Sequence, residues 1–177
     1  MTAHPAADLV QRLDLALIYP PVVERYLDTL EACRKREAVY YGISGTRSFE
    51  EQDRLHEQGR MRVGGEWVIL DPSKIVTKAR GGESAHNFGL AADSCRDKDK
   101  DRAGLQPGWR LEDYLILAEE AKKHGLEAAY WWQTFREGPH VQLPLGALGT
   151  SLPKLRALHA GGGINAVWSH LDSLGGW

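Results

Sequence analysis

Three residues of metal-ligand type stand beside predicted strands. His86 lies in Gly81-Gly82-Glu83-Ser84-Ala85-His86-Asn87-Phe88-Gly89, Asp93 follows it by seven residues, and His140 comes directly after Pro139. Two imidazoles and one carboxylate suit Zn²⁺ and leave the fourth tetrahedral position for water, which separates a catalytic zinc from a structural one. Glu137, three residues before His140 in Glu137-Gly138-Pro139-His140, would be held beside a metal by the short turn between them. A carboxylate there can take a proton from an attacking water and hand it to a leaving amine. Singly, a histidine beside a strand is more often a hydrogen-bonded structural residue; the combination is what points to a site. The other five of the seven histidines, His4, His56, His124, His159 and His170, lack metal-like spacing and are assigned no role.

The elements that must position these groups can be read from periodicity and punctuation. Residues 20 to 36 form a helix opened by Pro20 and Pro21, with Val23, Tyr26, Leu27, Leu30 and Cys33 on one stripe. Ala38 to Ser44 is β-branched and aromatic and reads as a strand. Ser48 and Glu51 are spaced as a capping box, which predicts a helix from there to about Gln58, stopped by Gly59. Residues 60 to 83 read as loops with one short strand at Trp67 to Leu70. Leu90 to Ser94 and Val141 to Leu143 are further strands, and Leu111 to His124 is a helix capped by Gly125. Two helices, Leu152 to His159 and a second carrying Ile164, Val167, Trp168, Leu171 and Leu174, flank Gly161-Gly162-Gly163. Strands separated by helices and long loops, without regular alternation, indicate an α+β domain.

Read against these elements, the motifs resemble a known family. Ser84-Ala85-His86-Asn87-Phe88-Gly89-Leu90-Ala91-Ala92-Asp93 is similar to the S-x-H-x-x-G-x-A-x-D motif of the zinc D-alanyl-D-alanine carboxypeptidase and L-alanyl-D-glutamate endopeptidase family, in particular its phage endolysin branch. Ser44-Gly45-Thr46-Arg47-Ser48 with Glu51-Gln52, Gln58-Gly59-Arg60, Ile75 to Gly82, and the block from Gly125-Leu126-Glu127 through Trp132 and Phe135 to His140 follow in family order, covering about residues 20 to 143. The resemblance implies a small mixed sheet with flanking helices, the D-Ala-D-Ala carboxypeptidase/hedgehog-like zinc-peptidase fold. It implies one Zn²⁺ held by His86, Asp93 and His140, with Glu137 as catalytic base and acid. Arg47 then faces the substrate, where a guanidinium can hold an oxyanion or a carboxylate, and Ser84 orders the zinc loop or touches substrate. Gly89 lets the backbone turn between two ligands. The implied reaction is hydrolysis of the L-alanyl-D-glutamate amide in peptidoglycan stem peptides. Removal of terminal D-alanine, or a zinc-containing binding domain without catalysis, are the alternatives. The family's W-G-G after G-L-E is replaced here by Ala128-Ala129-Tyr130, so the pocket wall near the zinc is expected to differ.

Composition sets the remaining bounds. The 177 residues suit one domain, 1–177, with 145–177 a helical extension packed on it, and 42% apolar with 26% charged residues matches a globular chain. A net charge of -2 gives no field for gripping nucleic acid, and no apolar stretch approaches the roughly 20 residues that span a bilayer. The first ten residues show no signal-peptide pattern, so synthesis in the cytoplasm is expected, with a separate route to the wall for an endolysin. A monomer is expected, with Cys33 and Cys95 as reduced thiols. Asp97, Asp99 and Asp101 are spaced like the first acids of a calcium loop, but Arg102 and Gly108 stand where an EF-hand has Gly and Glu; a solvated charge run from Arg96 to Arg102 is the competing reading. Trp131 and Trp132 suit the flank of a sugar or peptide groove, with buried core or lid packing as the competing reading.

Overall fold

The computed structural model describes residues 4–99 and 104–175. Helix α1 (Pro20–Lys35) turns Val22, Tyr26, Leu27, Leu30 and Cys33 inward, the stripe that its periodicity requires, shifted by one residue at its start. Strand β1 (Tyr40–Ser44) leads to α2 (Phe49–Glu57), whose capping box forms as the spacing predicts: Glu51 N–H donates to Ser48 Oγ, and Ser48 N–H to Glu51 Oε2. The following segment is more regular than expected. Instead of loops with one strand it forms an antiparallel hairpin, β2 (Arg60–Val63) and β3 (Glu66–Ile69), turned through Gly64 and Gly65, both at positive φ. The Gly-Gly pair was a two-residue hairpin signal.

The central sheet adds β4 (Ala91–Asp97), β5 (Pro107–Gly108), β6 (Glu127–Ala128) and β7 (His140–Gln142) to β1, in the order β1-β4-β7-β6 with β5 alongside β4. All its pairings are antiparallel, where a mixed sheet was expected. Strand β4 runs into the charge run, contrary to the solvated loop expected from Arg96. Asp97 is buried, and its carboxylate accepts the backbone N–H groups of Gln106 at 3.0 Å and Asp99 at 3.4 Å. That carboxylate closes a turn; no group of convergent metal-ligating atoms among the described residues includes Asp97 or Asp99, and Asp101 lies outside them. The calcium reading therefore has no support.

Beyond the sheet, a 3₁₀ turn (Leu111–Tyr114) runs into α3 (Leu115–Lys123), which packs with α1 over one sheet face. Helix α4 (Leu152–Leu174) is broken at Gly162 and Gly163, whose backbone is not helical, so it consists of the two helices expected. Leu155, Val167 and Leu171 share a buried cluster with Phe88, Leu90 and Leu143, which surrounds the end of the His86 loop. Trp168 Nε1–H donates to Phe88 O at 2.9 Å, and Tyr19 OH to Asp172 Oδ1 at 2.5 Å. Replacing Leu155 or Leu171 by Ala is therefore expected to cost about 2–5 kcal/mol in chemical denaturation. Leu174→Ala, at a more exposed site, is expected to cost less. Equal stability of Leu171→Ala and the parent chain would mean that the last helices do not share this core.

Candidate metal centre

Register places two of the three candidate ligands. Asp93 on β4 pairs with His140 on β7, and adjacent residues on neighbouring antiparallel strands bring their side chains together on one face. On its other side Asp93 pairs with Ser44, across a shift in register between Gly42 and Ser44. Such a bulge re-aims a strand beside a site. Ile43, the residue it displaces, lines the cavity above.

His86 arrives from a one-turn 3₁₀ helix (Ala85–Phe88) ended by Gly89 in the left-handed region, at φ 70°. A side chain at Gly89 would put its Cβ 2.5 Å from Leu17 O, so both conformation and space demand glycine there. Gly138 is required by space alone: a Cβ would sit 2.3 Å from the Tyr114 ring, and this close approach sets the turn carrying Glu137 to His140.

Hydrogen bonds fix each imidazole by its outer nitrogen. His86 Nδ1 lies 2.6 Å from Gly45 O, so Nδ1–H donates and the Nε2 lone pair points inward, 3.2 Å from Asp93 Oδ1 and 3.1 Å from His140 Nδ1. His140 is held by the other nitrogen: Nε2–H donates to Gln142 Oε1 at 2.9 Å, turning Nδ1 to Asp93 Oδ1 at 3.2 Å. The ligand atoms of the three residues all lie within 4.8 Å of one another. Outer hydrogen bonds of this kind select the tautomer that a metal-ligating histidine needs.

The electrostatics describe a cluster that wants a cation. Burial disfavours a charged Asp93, yet positive charge and a hydrogen bond from an imidazole whose inward nitrogen is protonated outweigh it and hold the carboxyl well below its ordinary range. Burial likewise opposes charge on His140, but Asp93, Gln142 and Glu137 together raise its pKa, whereas burial dominates at His86 and lowers it. A proton on His140 can supply the positive charge, and a divalent metal can replace it with the same three atoms. The donor set, its convergence and its outer hydrogen bonds fit zinc.

Arg47 is positioned by its backbone N–H on His86 O at 3.1 Å and by its side chain on Ser44 Oγ at 3.1 Å. Its Nη2 donates to Asp93 Oδ2, so the expected substrate-facing arginine also anchors the carboxylate. Two positioning residues escaped the sequence reading. Gln142 orients His140 as described, and buried Asn87 clamps the loop, with Nδ2 donating to Arg47 O and Ser48 O while Oδ1 accepts from Gly82 and Ser84 N–H. Asn87 sits between His86 and Phe88 in the motif, where a short amide in a loop is the signal for such a clamp.

A cavity of about 840 Å³ opens over the cluster, lined by Arg47, Ser84, His86, Asp93, Glu137 and His140 together with Trp109, Trp132 and Phe135. Burial pushes the Glu137 carboxyl above its ordinary range, partly offset by His140 and Arg47. Of the paired tryptophans, Trp132 belongs to the wall, its ring centred 5.4 Å from that of His140 and its Nε1–H donated to Glu127; Trp131 is exposed away from the lining.

The chain is similar to known proteins in sequence and in fold. Residues 17–139 match the family model described as VanY, D-alanyl-D-alanine carboxypeptidase. The peptidoglycan L-alanyl-D-glutamate endopeptidase CwlK of Bacillus subtilis (strain 168) is 37% identical over 131 residues, covering 70% of this chain and 72% of that protein. In structure, the Serratia marcescens L-Ala D-Glu endopeptidase ChiX aligns over 82% of this chain and 98% of its own, with a TM-score of 0.53 at 17% identity. A Zn(II) complex of a variant of the vancomycin-resistance D,D-pentapeptidase VanY aligns over 77% and 82%, with a TM-score of 0.52 at 19% identity. At these identities the two structures speak for the fold.

Gln142→Ala should weaken zinc binding about 10- to 100-fold, read by competition with a chelator of known affinity, and Gln142→Glu, which keeps an acceptor, should weaken it less. Unchanged affinity in Gln142→Ala would contradict the assigned role of the outer hydrogen bond.

Proposed function

The chain belongs to the VanY family of D-alanyl-D-alanine carboxypeptidases, and from that premise we propose that it is a zinc-dependent peptidase hydrolysing the L-alanyl-D-glutamate amide of peptidoglycan stem peptides. The observation that carries the reading is the meeting of the His86, Asp93 and His140 ligand atoms under a cavity that also holds Glu137. The choice of bond rests on the 37% identity to an endopeptidase with that specificity.

In this reading His86 Nε2, one Asp93 oxygen and His140 Nδ1 hold the metal. Bound there, zinc supplies Lewis acidity, which acidifies water and polarises a carbonyl. Glu137 is the proton carrier. Its desolvated carboxylate is a stronger base than one in water, so it takes the proton of the attacking water and returns it to the departing nitrogen. Arg47, tied to Asp93 on one side and open to the cavity on the other, donates to the oxygen on which negative charge develops. Ser84 lines the same cavity and contributes a substrate contact. Trp132 and Phe135 form apolar walls that exclude water from the reacting atoms. The segment 145–177 belongs to the same peptidase unit, a proposal supported by its share of the core beneath the His86 loop.

The test is digestion of purified peptidoglycan by the zinc-loaded protein and by Glu137→Gln, with released ends identified by mass spectrometry. New amino-terminal D-glutamate is expected, reduced at least 10²-fold in the variant. Free D-alanine instead would assign the carboxypeptidase reaction that the family description names. Intact walls with zinc bound would favour a binding domain and overturn the reading. Removing the metal with a chelator is expected to abolish cleavage, and adding back zinc to restore it.

A further inference from the structure

One tryptophan in the wall of the cavity over the metal centre has a braced backbone and an unengaged side chain. Trp67, Trp131, Trp132 and Trp168 each meet another ring, whereas Trp109 meets no ring and forms no hydrogen bond among the described residues. Trp109 lines the cavity together with Asp93, Glu137 and His140, and it is 59% exposed. Its two neighbours are held. Gly108 pairs with Arg96 on β4, and the hydroxyl of buried Tyr114 donates to Gly108 O at 2.7 Å. Arg110 N–H donates to Asp113 Oδ2 at 3.2 Å where the 3₁₀ turn begins. The same contacts fix where Trp109 stands. The Tyr114 ring lies against Gly138, in the turn that carries Glu137 and His140, so a single tyrosine bridges that turn and the residue before Trp109. Strand β5 runs antiparallel to β4 with Pro107 opposite Asp97 and Gly108 opposite Arg96, so the chain at Trp109 heads back toward Asp93, alongside Cys95. Two residues of strand, roughly 7 Å, separate that level from the candidate ligand.

We propose that Trp109 is the platform of a sugar subsite, on which the muramic acid ring that bears the stem peptide stacks. The inference rests on the endopeptidase reading above. The scissile carbonyl in that reading belongs to L-alanine, whose nitrogen is acylated by the lactyl group carried on the sugar. Two residue lengths, roughly 7 Å, therefore separate the reacting carbonyl from the sugar ring, which matches the offset of Trp109 from Asp93 along the sheet. In the other direction the stem holds carboxylates, amides and aliphatic chains, and no ring. A pyranose presents C–H groups on its flat faces, which complement the negative face of an indole, and the indole N–H can donate to a sugar hydroxyl or acetamido oxygen. Because the backbone on both sides of Trp109 is braced before the sugar arrives, little order has to be imposed on binding. The subsite thus sets the direction of the substrate, with the glycan end at Trp109, and favours stems still attached to their sugar over free peptides.

The experiment compares a synthetic muramyl peptide with the same peptide capped at its amino end by a lactyl group alone. kcat/KM on both is measured for the parent protein, Trp109→Phe, Trp109→Ala and the control Trp131→Ala, whose side chain is exposed outside the cavity lining. The parent and the control should prefer the muramyl peptide about tenfold, Trp109→Phe should keep part of that preference, and Trp109→Ala should bring the ratio close to one. Zinc content and circular dichroism establish that the variants are folded. A parent without preference, or a preference that survives in Trp109→Ala, overturns the subsite. Titration calorimetry of both peptides into Glu137→Gln, with and without Trp109→Ala, reads the same ratio without turnover. If the parent cleaves neither peptide, the endopeptidase reading fails on its own, and the ratio of binding constants still decides the subsite: equal affinities for the two peptides overturn it.

Discussion

Everything at this site depends on keeping a carboxylate and two imidazoles charged or poised in a place that water scarcely reaches. His86 and His140 are almost fully buried, and Asp93 is largely so. A buried carboxylate is tolerable only when positive charge and hydrogen bonds surround it, and here Arg47, His86 and His140 all converge on Asp93. The same compensation makes a cation site. A metal can take the place of that positive charge, because Gly45 O and Gln142 Oε1 hold the outward protons of the imidazoles and leave the inward nitrogens, once deprotonated, aimed at one point.

The fold serves this constraint from both sides. The antiparallel ladder between β4 and β7 sets Asp93 against His140, and the register shift in β1 accommodates Arg47 and Ser44 beside them. His86 comes from a loop rather than a strand, so it needs a separate brace. Asn87 ties the loop to the start of α2, while Phe88 and Gly89 are gripped by Trp168 and by Tyr19, whose N–H donates to Gly89 O at 2.9 Å. The last helices lie outside the matched family residues 17–139, yet they touch the loop that carries a candidate ligand. Their packing and the geometry at His86 are therefore coupled through a few shared contacts.

The sequence was most legible where local rules decide structure. The stripe of α1, the Ser48–Glu51 capping box, the glycine break in α4 and the turn at Gly89 follow from spacing and from side-chain size. The candidate ligands were legible because residue type and motif order point to them before any fold is known. What was hidden depended on partners distant in the chain. Gln142 reads as one more strand residue until His140 is seen to need an acceptor two positions away. Asp97 reads as part of a charge run until strand pairing pulls it inward to bind backbone amides. The short strands β5 and β6 have two residues each, too few for periodicity to mark, and exist because β4 and β7 offer edges to pair with.

The most direct test of the account is the position of the metal itself. Crystals of the zinc-loaded protein, measured with anomalous scattering at the zinc edge, should show one peak per chain about 2 Å from His86 Nε2, an Asp93 oxygen and His140 Nδ1. His86 Nδ1 should remain on Gly45 O and His140 Nε2 on Gln142. A peak bound through the opposite ring nitrogens, at a different cluster, or absent from fully loaded crystals would contradict the claim that this buried cluster is built to hold the metal.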